Sequence, residues 1–178
     1  RAYSSVQLAF YGPPEKRDAE LQAALTASQH AVALDPWDAF NRFAFGRALC
    51  LSLRFAEAEA ELEAAIEANR SFAQAHFALA FCYTVWDRPE KALPLYDRAM
   101  QLSPQDPHLW AFHHMRSIAH FRLDQLEEAE HHARAAIRQQ YATYWPYATL
   151  CALLADQDRL EEAAAIADRL LRMKPEYS

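Results

Sequence analysis

The stretch Ser103–Phe121, SPQDPHLWAFHHMRSIAHF, sets His113, His114 and His120 beside Arg116 and Trp110. Imidazoles at this density could ligate a metal ion or move protons near neutral pH. A further pair, His131–His132, follows shortly. Spacing argues against a metal held by one helix. Adjacent residues point about 100° apart on a helix, and no two histidines lie four apart, the spacing that would put both on one face. His113, Arg116 and His120 share one helical stripe, while His114 lies on another. Serine, histidine and acidic residues are all present, but no strained turn presents a nucleophile. Glycine occurs only at Gly12 and Gly46, which leaves no phosphate-cradling loop and no dinucleotide fingerprint. Cys50, Cys82 and Cys151 are scattered, without a CxxC pair, and each falls in a helical pattern. They read as small core residues. The sequence predicts no enzyme, no cofactor and no metal site.

The elements that carry these residues follow a repeat. Ala24, Ala58 and Ala92 are spaced by 34; Ala129 follows after 37 and Ala163 after 34. A second row runs Ala31, Ala65, Ala99, Ala136 and Leu170, and a row of terminators runs Pro36, Arg70, Pro104, Tyr141 and Pro175. Small residues recur at Gly46, Ala80, Ser117 and Cys151. Such rows let paired helices approach closely, with Leu62, Tyr96 and Ala133 filling the space between them. Proline cannot continue a helix and so ends a unit. A unit of this size cannot bury its apolar face alone; stacking supplies the core. Helices are predicted over 2–11, 17–34, 38–52, 55–69, 72–86, 88–102, 106–122, 125–139, 144–156 and 159–173. Paired, they make units over 1–36 (degenerate, with YGPPEKR as a longer loop), 39–72, 73–106, 107–143 and 144–177. The three extra residues fall in or beside SPQDPHL, where Asp106 is a candidate cap and Pro107 suits a first helical turn. They should alter how that hairpin stacks on the one before it.

The bulk numbers fit this reading. Apolar residues make up 52% of 178, and alanine supplies much of that. The formal net charge of −6 offers no basic surface for nucleic acid. No apolar run reaches the ~20 residues of a membrane span, and no signal peptide is visible. The expected location is cytoplasmic. The chain opens at Arg1 rather than methionine, so it is expected to be a piece of a longer protein.

The 34-residue rows resemble the tetratricopeptide repeat. In AQAHFALAFCYTVWDRPEKALPLYDRAMQLSP, the residues Leu79, Tyr83, Ala92, Tyr96, Ala99 and Pro104 fall on that family's landmarks, with Ala80 for the usual glycine and His76 for the tryptophan. The resemblance covers essentially the whole chain. It implies an all-α fold, a right-handed α-solenoid of antiparallel helix hairpins with about ten helices. More narrowly, DPHLWAFHHMRSIAHFRLDQLEEAEHHARAAIRQ and ATYWPYATLCALLADQDRLEEAAAIADRLLRMKPEYS are similar to C-terminal repeat regions of bacterial signalling proteins. Those carry a class III adenylate or guanylate cyclase domain, or a winged-helix DNA-binding domain. That similarity implies a regulatory or assembly role beside an output domain.

The family resemblance also implies a concave face lined by first helices. By repeat position it would hold Phe40, Phe43, Arg47, Cys50 and Leu51, then Gln74, Phe77, Phe81 and Thr84. His114, Ile118, Phe121 and Arg122 would continue it, then Trp145. Aromatics with arginine make frequent binding hot spots, so the expected ligand is a protein or peptide segment with an apolar or aromatic anchor. The family's lysine–asparagine clamp for a terminal carboxylate is missing: Phe43, Phe77 and His114 stand there, with Arg47 the lone basic residue. The second helix FAEAEAELEAAIEA is expected to show Glu57, Glu59, Glu61, Glu63 and Glu67 to solvent on the convex face. Homo-oligomerisation through an open end, or small-molecule sensing in the groove, are the alternative readings.

Overall fold

A computed structural model describes residues 2–11 and 14–177. Gly12 and Pro13 of the expected long loop lie outside the described residues, and Pro14–Lys16 form a short 3-10 turn. Among the described residues there are ten α-helices and no strand. They are α1 Ala2–Tyr11, α2 Arg17–Leu34, α3 Ala39–Leu51, α4 Phe55–Ala68, α5 Ala73–Val85, α6 Pro89–Leu102, α7 Leu109–Arg122, α8 Leu126–Ile137, α9 Trp145–Asp156 and α10 Leu160–Met173. Each expected helix exists, and most bounds agree within two residues.

The chain divides into two compact units, Arg1–Arg88 and Pro89–Ser178. In the first, α1 packs on α2, α3 on α4, and α5 on α4 and α3. Asp38 caps α3 by accepting a hydrogen bond from the Asn41 amide at 2.7 Å. Gly46 meets Leu62 across the α3–α4 hairpin, and Ala24, Ala58, Leu62 and Ala65 are fully buried. Gly46 is needed for closeness, not for an unusual φ. In the second unit α7 packs on α8, α9 on α10, and α6 and α9 flank α7 and α8. Ala129, Ala133, Tyr147, Leu150, Leu154 and Ala163 centre its core.

The turns between paired helices share one geometry. Leu53, Asp87, Asp124 and Asp158 all adopt left-handed backbone with φ near 60°, and they recur at the repeat spacing of 34, 37 and 34. Each is followed by an amide that reaches back five residues: Arg54 to Leu49, Arg88 to Tyr83, Gln125 to His120 and Arg159 to Leu154, at 2.8 to 3.0 Å. This closes the last turn of the preceding helix.

Two local expectations are corrected. Asp106 does not cap α7, which begins three residues later at Leu109 behind His108. Its buried carboxylate instead accepts from the His108 amide at 2.8 Å and the Ser103 hydroxyl at 3.1 Å. The extra residues thus fold as a turn around Asp106, with Pro107 outside the helix. The acidic helix α4 is not uniformly solvated either. Glu61 pairs with Arg42 of α3 at 2.8 Å, and Glu59 accepts the Tyr83 hydroxyl of α5 at 2.5 Å. Alternating glutamates cannot all share one face of a 3.6-residue helix.

Candidate functional site

Two clefts open on first helices, one in each unit. In the first unit, a shallow cleft between α3 and α5, with room for about one water, is lined by Arg47, Cys50, Leu51, Phe77, Ala78 and Phe81. All but Ala78 are residues that repeat position assigned to the groove. The Arg47 guanidinium lies 5.9 Å from the Phe43 ring centroid, and no carboxylate of the described residues pairs with it. Arg47, Phe77, Phe81 and Gln74 are all half-buried.

Phe43 and Thr84 do not offer surface. Phe43 is buried against Phe40, Phe72 and Tyr3, with ring centroids 5.0 to 5.9 Å away. A large aromatic at a face-lining position covers itself when neighbouring aromatics close over it. Thr84 is fully buried and donates to the Ala80 carbonyl at 2.9 Å. Phe40, by contrast, stays 48% exposed at the edge of that aromatic cluster.

In the second unit, Ile118 and Phe121 of α7 face Thr149, Ala152 and Leu153 of α9 around about 220 Å³. Phe121, Arg122 and Trp145 are exposed. His114 is buried, and its Nδ1 finds no hydrogen-bond partner among the described residues. Burial alone pulls its pKa down to about 4. It therefore packs as a neutral ring and makes no cationic point in the groove.

The thiols behave as core groups. Cys50 and Cys82 are buried, and the neighbouring Cys82 thiol together with burial pushes the Cys50 thiol up, so it stays protonated. Cys151 donates to the Ala163 carbonyl at 3.5 Å. Among the described residues no group of three or more His, Cys, Asp or Glu could hold a metal ion.

What helical spacing missed is a meeting of histidines from two helices. His113 of α7 and His132 of α8 bring their Nδ1 atoms to 3.0 Å. His120 stacks on His132 at 5.4 Å and 6°, and His131 stands edge-on to it. The signal lay in the repeat: Arg42 and Glu61, the ion pair of α3–α4, occupy the equivalent positions.

No family model matches the chain, and no curated protein matches it in sequence. Solved structures do match in fold. A thermophilic TPR protein of Thermus thermophilus, TTC0263, superposes with a TM-score of 0.79 at 18% identity, covering 98% of this chain and 92% of that one. The fold is the tetratricopeptide repeat. MamA from Desulfovibrio magneticus gives 0.73 at 14% identity over 99% and 98% of the two chains. YrrB, described as a TPR protein with an unusual peptide-binding site, gives 0.65 at 20% identity over 98% and 87%. The tetratricopeptide fold explains why all ten helices could be placed from spacing alone. No described helix is long and apolar enough to cross a membrane.

Proposed function

We propose that this tetratricopeptide array is a non-catalytic protein-interaction module that takes a peptide segment of a partner on its first helices. The observation that carries the reading is the cleft between α3 and α5, where Phe77, Phe81 and Leu51 offer apolar surface beside Arg47, a cation with no acidic partner among the described residues. A ligand with an aromatic or aliphatic anchor and a nearby carboxylate matches that chemistry. The peptide-binding site named for YrrB lends the reading support by analogy. Within the second unit, exposed Phe121 and Trp145 offer apolar first-helix surface of their own. The module is proposed to act within a cell, regulating or assembling a linked signalling domain of the bacterial cyclase or winged-helix kind. No role in binding nucleic acid is proposed for it, given its net charge of −6.

Selection from a random dodecapeptide display library tests the reading. Enriched sequences should carry an apolar anchor and lose binding to Phe81→Ala and Arg47→Ala. Equal recovery on wild-type and both variants would count against the cleft. Self-association is the second reading, favoured by Leu34 at the end of α2 and Trp37 in the turn that follows, 77% and 85% exposed. Light scattering across a concentration series separates the two.

A further inference from the structure

The seam between α7 and α8 holds four imidazoles and is short of acid. His113 and His132 lie 3.0 Å apart at Nδ1 with ring centroids at 5.3 Å, a separation reached only when the two nitrogens point nearly at one another. The contact is a hydrogen bond between rings: one Nδ1–H donates and the other Nδ1 accepts. His132 is held in place by His120, whose Nδ1 meets the Gln125 side chain at 2.7 Å and whose Nε2 accepts from Arg116 at 3.3 Å.

The groups facing this pair are cations or become cations. Arg116 on the same helix, His120, the neighbouring His131 and Arg138 at the end of α8 all oppose a charge on it. Asp97 of α6 faces the seam only through Arg116, which it binds. Glu130 of α8 is already engaged by Arg134 and Arg159. Helix α9 carries no charged residue before Asp156. At the equivalent positions of α3–α4, Arg42 and Glu61 make an ordinary ion pair.

We propose that the His113–His132 bridge is an acid-sensitive latch that holds α7 against α8 when uncharged and releases when acid protonates both rings. With both rings neutral, the bridge contains one N–H between the two nitrogens. A first added proton can sit on an outer nitrogen and leave the bond intact. A second puts N–H against N–H, and the bond is lost. Burial and the surrounding cations resist even the first proton, so both rings titrate well below the usual imidazole value, His113 at about 4 and His132 at about 3. The unfolded or opened seam takes up protons from about pH 6.5 downward. The folded seam does not, so its stability is full above that value and falls as pH drops toward 4. The α3–α4 hairpin is a control built into the same chain.

Hydrogen-exchange mass spectrometry on the full chain at pH 7.5 and pH 5, corrected for intrinsic exchange, tests the latch. Protection of α7–α8 peptides should fall by well over a hundredfold at pH 5, beyond any change in α3–α4 and beyond the ~30-fold that buried His114 alone accounts for. The variant His113→Arg/His132→Glu, which copies the Arg42–Glu61 pair, should lose most of that difference and keep only what buried His114 contributes. An α7–α8 loss no larger than that of α3–α4, or a variant as pH-sensitive as the native chain, overturns the proposal. Imidazole NMR titration of the native protein gives a second reading without a variant. His113 and His132 should not titrate above pH 5 while the fold persists; midpoints near 6.5 in the folded protein overturn it.

Discussion

A Cβ on Gly46 would lie 2.6 Å from the Cγ of Leu62 across the α3–α4 hairpin, and 3.3 Å from the Ala58 carbonyl. All three equivalent residues in later hairpins, Ala80, Ser117 and Cys151, have a Cβ, and the last two use their polar tips on the same carbonyl row. Ser117 donates to Ala129 at 2.7 Å and Cys151 to Ala163 at 3.5 Å. Opposite these two, alanine replaces Leu62, at Ala133 and Ala167. Bulk on one helix is matched by its absence on the other.

Gly46→Ala should therefore lower stability even though alanine is the better helix former. The helix gain is about 1 kcal/mol, while forcing Leu62 aside costs about 1–3 kcal/mol. In Leu62→Ala the same substitution loses its penalty and becomes stabilising. A double-mutant cycle by urea unfolding should give a coupling of about 1–2 kcal/mol. Additive effects would show that Leu62 was free to move.

Leu53 is the one left-handed turn residue that is not aspartate, and its side chain is 72% exposed. A leucine at positive φ is strained by about 1–2 kcal/mol, with little packing to lose. Leu53→Asn should raise the melting temperature by a few degrees, about 2–4 °C per kcal/mol for a chain of this size. An unchanged or lower melting temperature would refute the strain.

His114 gives a pH prediction separate from the latch. Its folded pKa of about 4 is depressed by burial, so the neutral ring stabilises the fold above the unfolded value near 6.5. That contribution declines as pH falls from 6.5 to 4. Between pH 7.5 and pH 5 the loss from this one group is about 2 kcal/mol. Replacing it with leucine should remove that share of the slope in urea titrations at the two pH values, and an unaltered slope would contradict it.

Glu130 joins α8 to the start of α10. Arg159 reaches it at 2.5 Å and Arg134 at 2.7 Å, and both arginines also hold Glu162. Burial works to raise its pKa, but the two guanidinium hydrogen bonds outweigh it and hold the carboxyl below its ordinary range. Glu130→Gln should cost about 1 kcal/mol in low salt, and the gap should narrow in high salt as screening weakens the native network. A salt-independent difference would assign the effect to packing instead.

Sequence spacing determined a great deal here. The alanine rows, the terminator row and the 34-residue step located every helix, because close helix pairing demands small residues at fixed intervals. The left-handed turns at Leu53, Asp87, Asp124 and Asp158 fall on the same repeat step, but only the backbone geometry reveals them, since a leucine in the row gives no residue-type signal for positive φ. Tertiary structure alone decided which side chains reach solvent or each other. Phe43 and Thr84 hold groove positions yet lie buried, because neighbouring rings and helices close over them. Glu59 and Glu61 turn inward to Tyr83 and Arg42. His113 and His132, 19 residues apart on different helices, read as unrelated stripes until the hairpin closes. Helical periodicity fixes the face from which a side chain points, but the group it meets is set by the packing of the next helix.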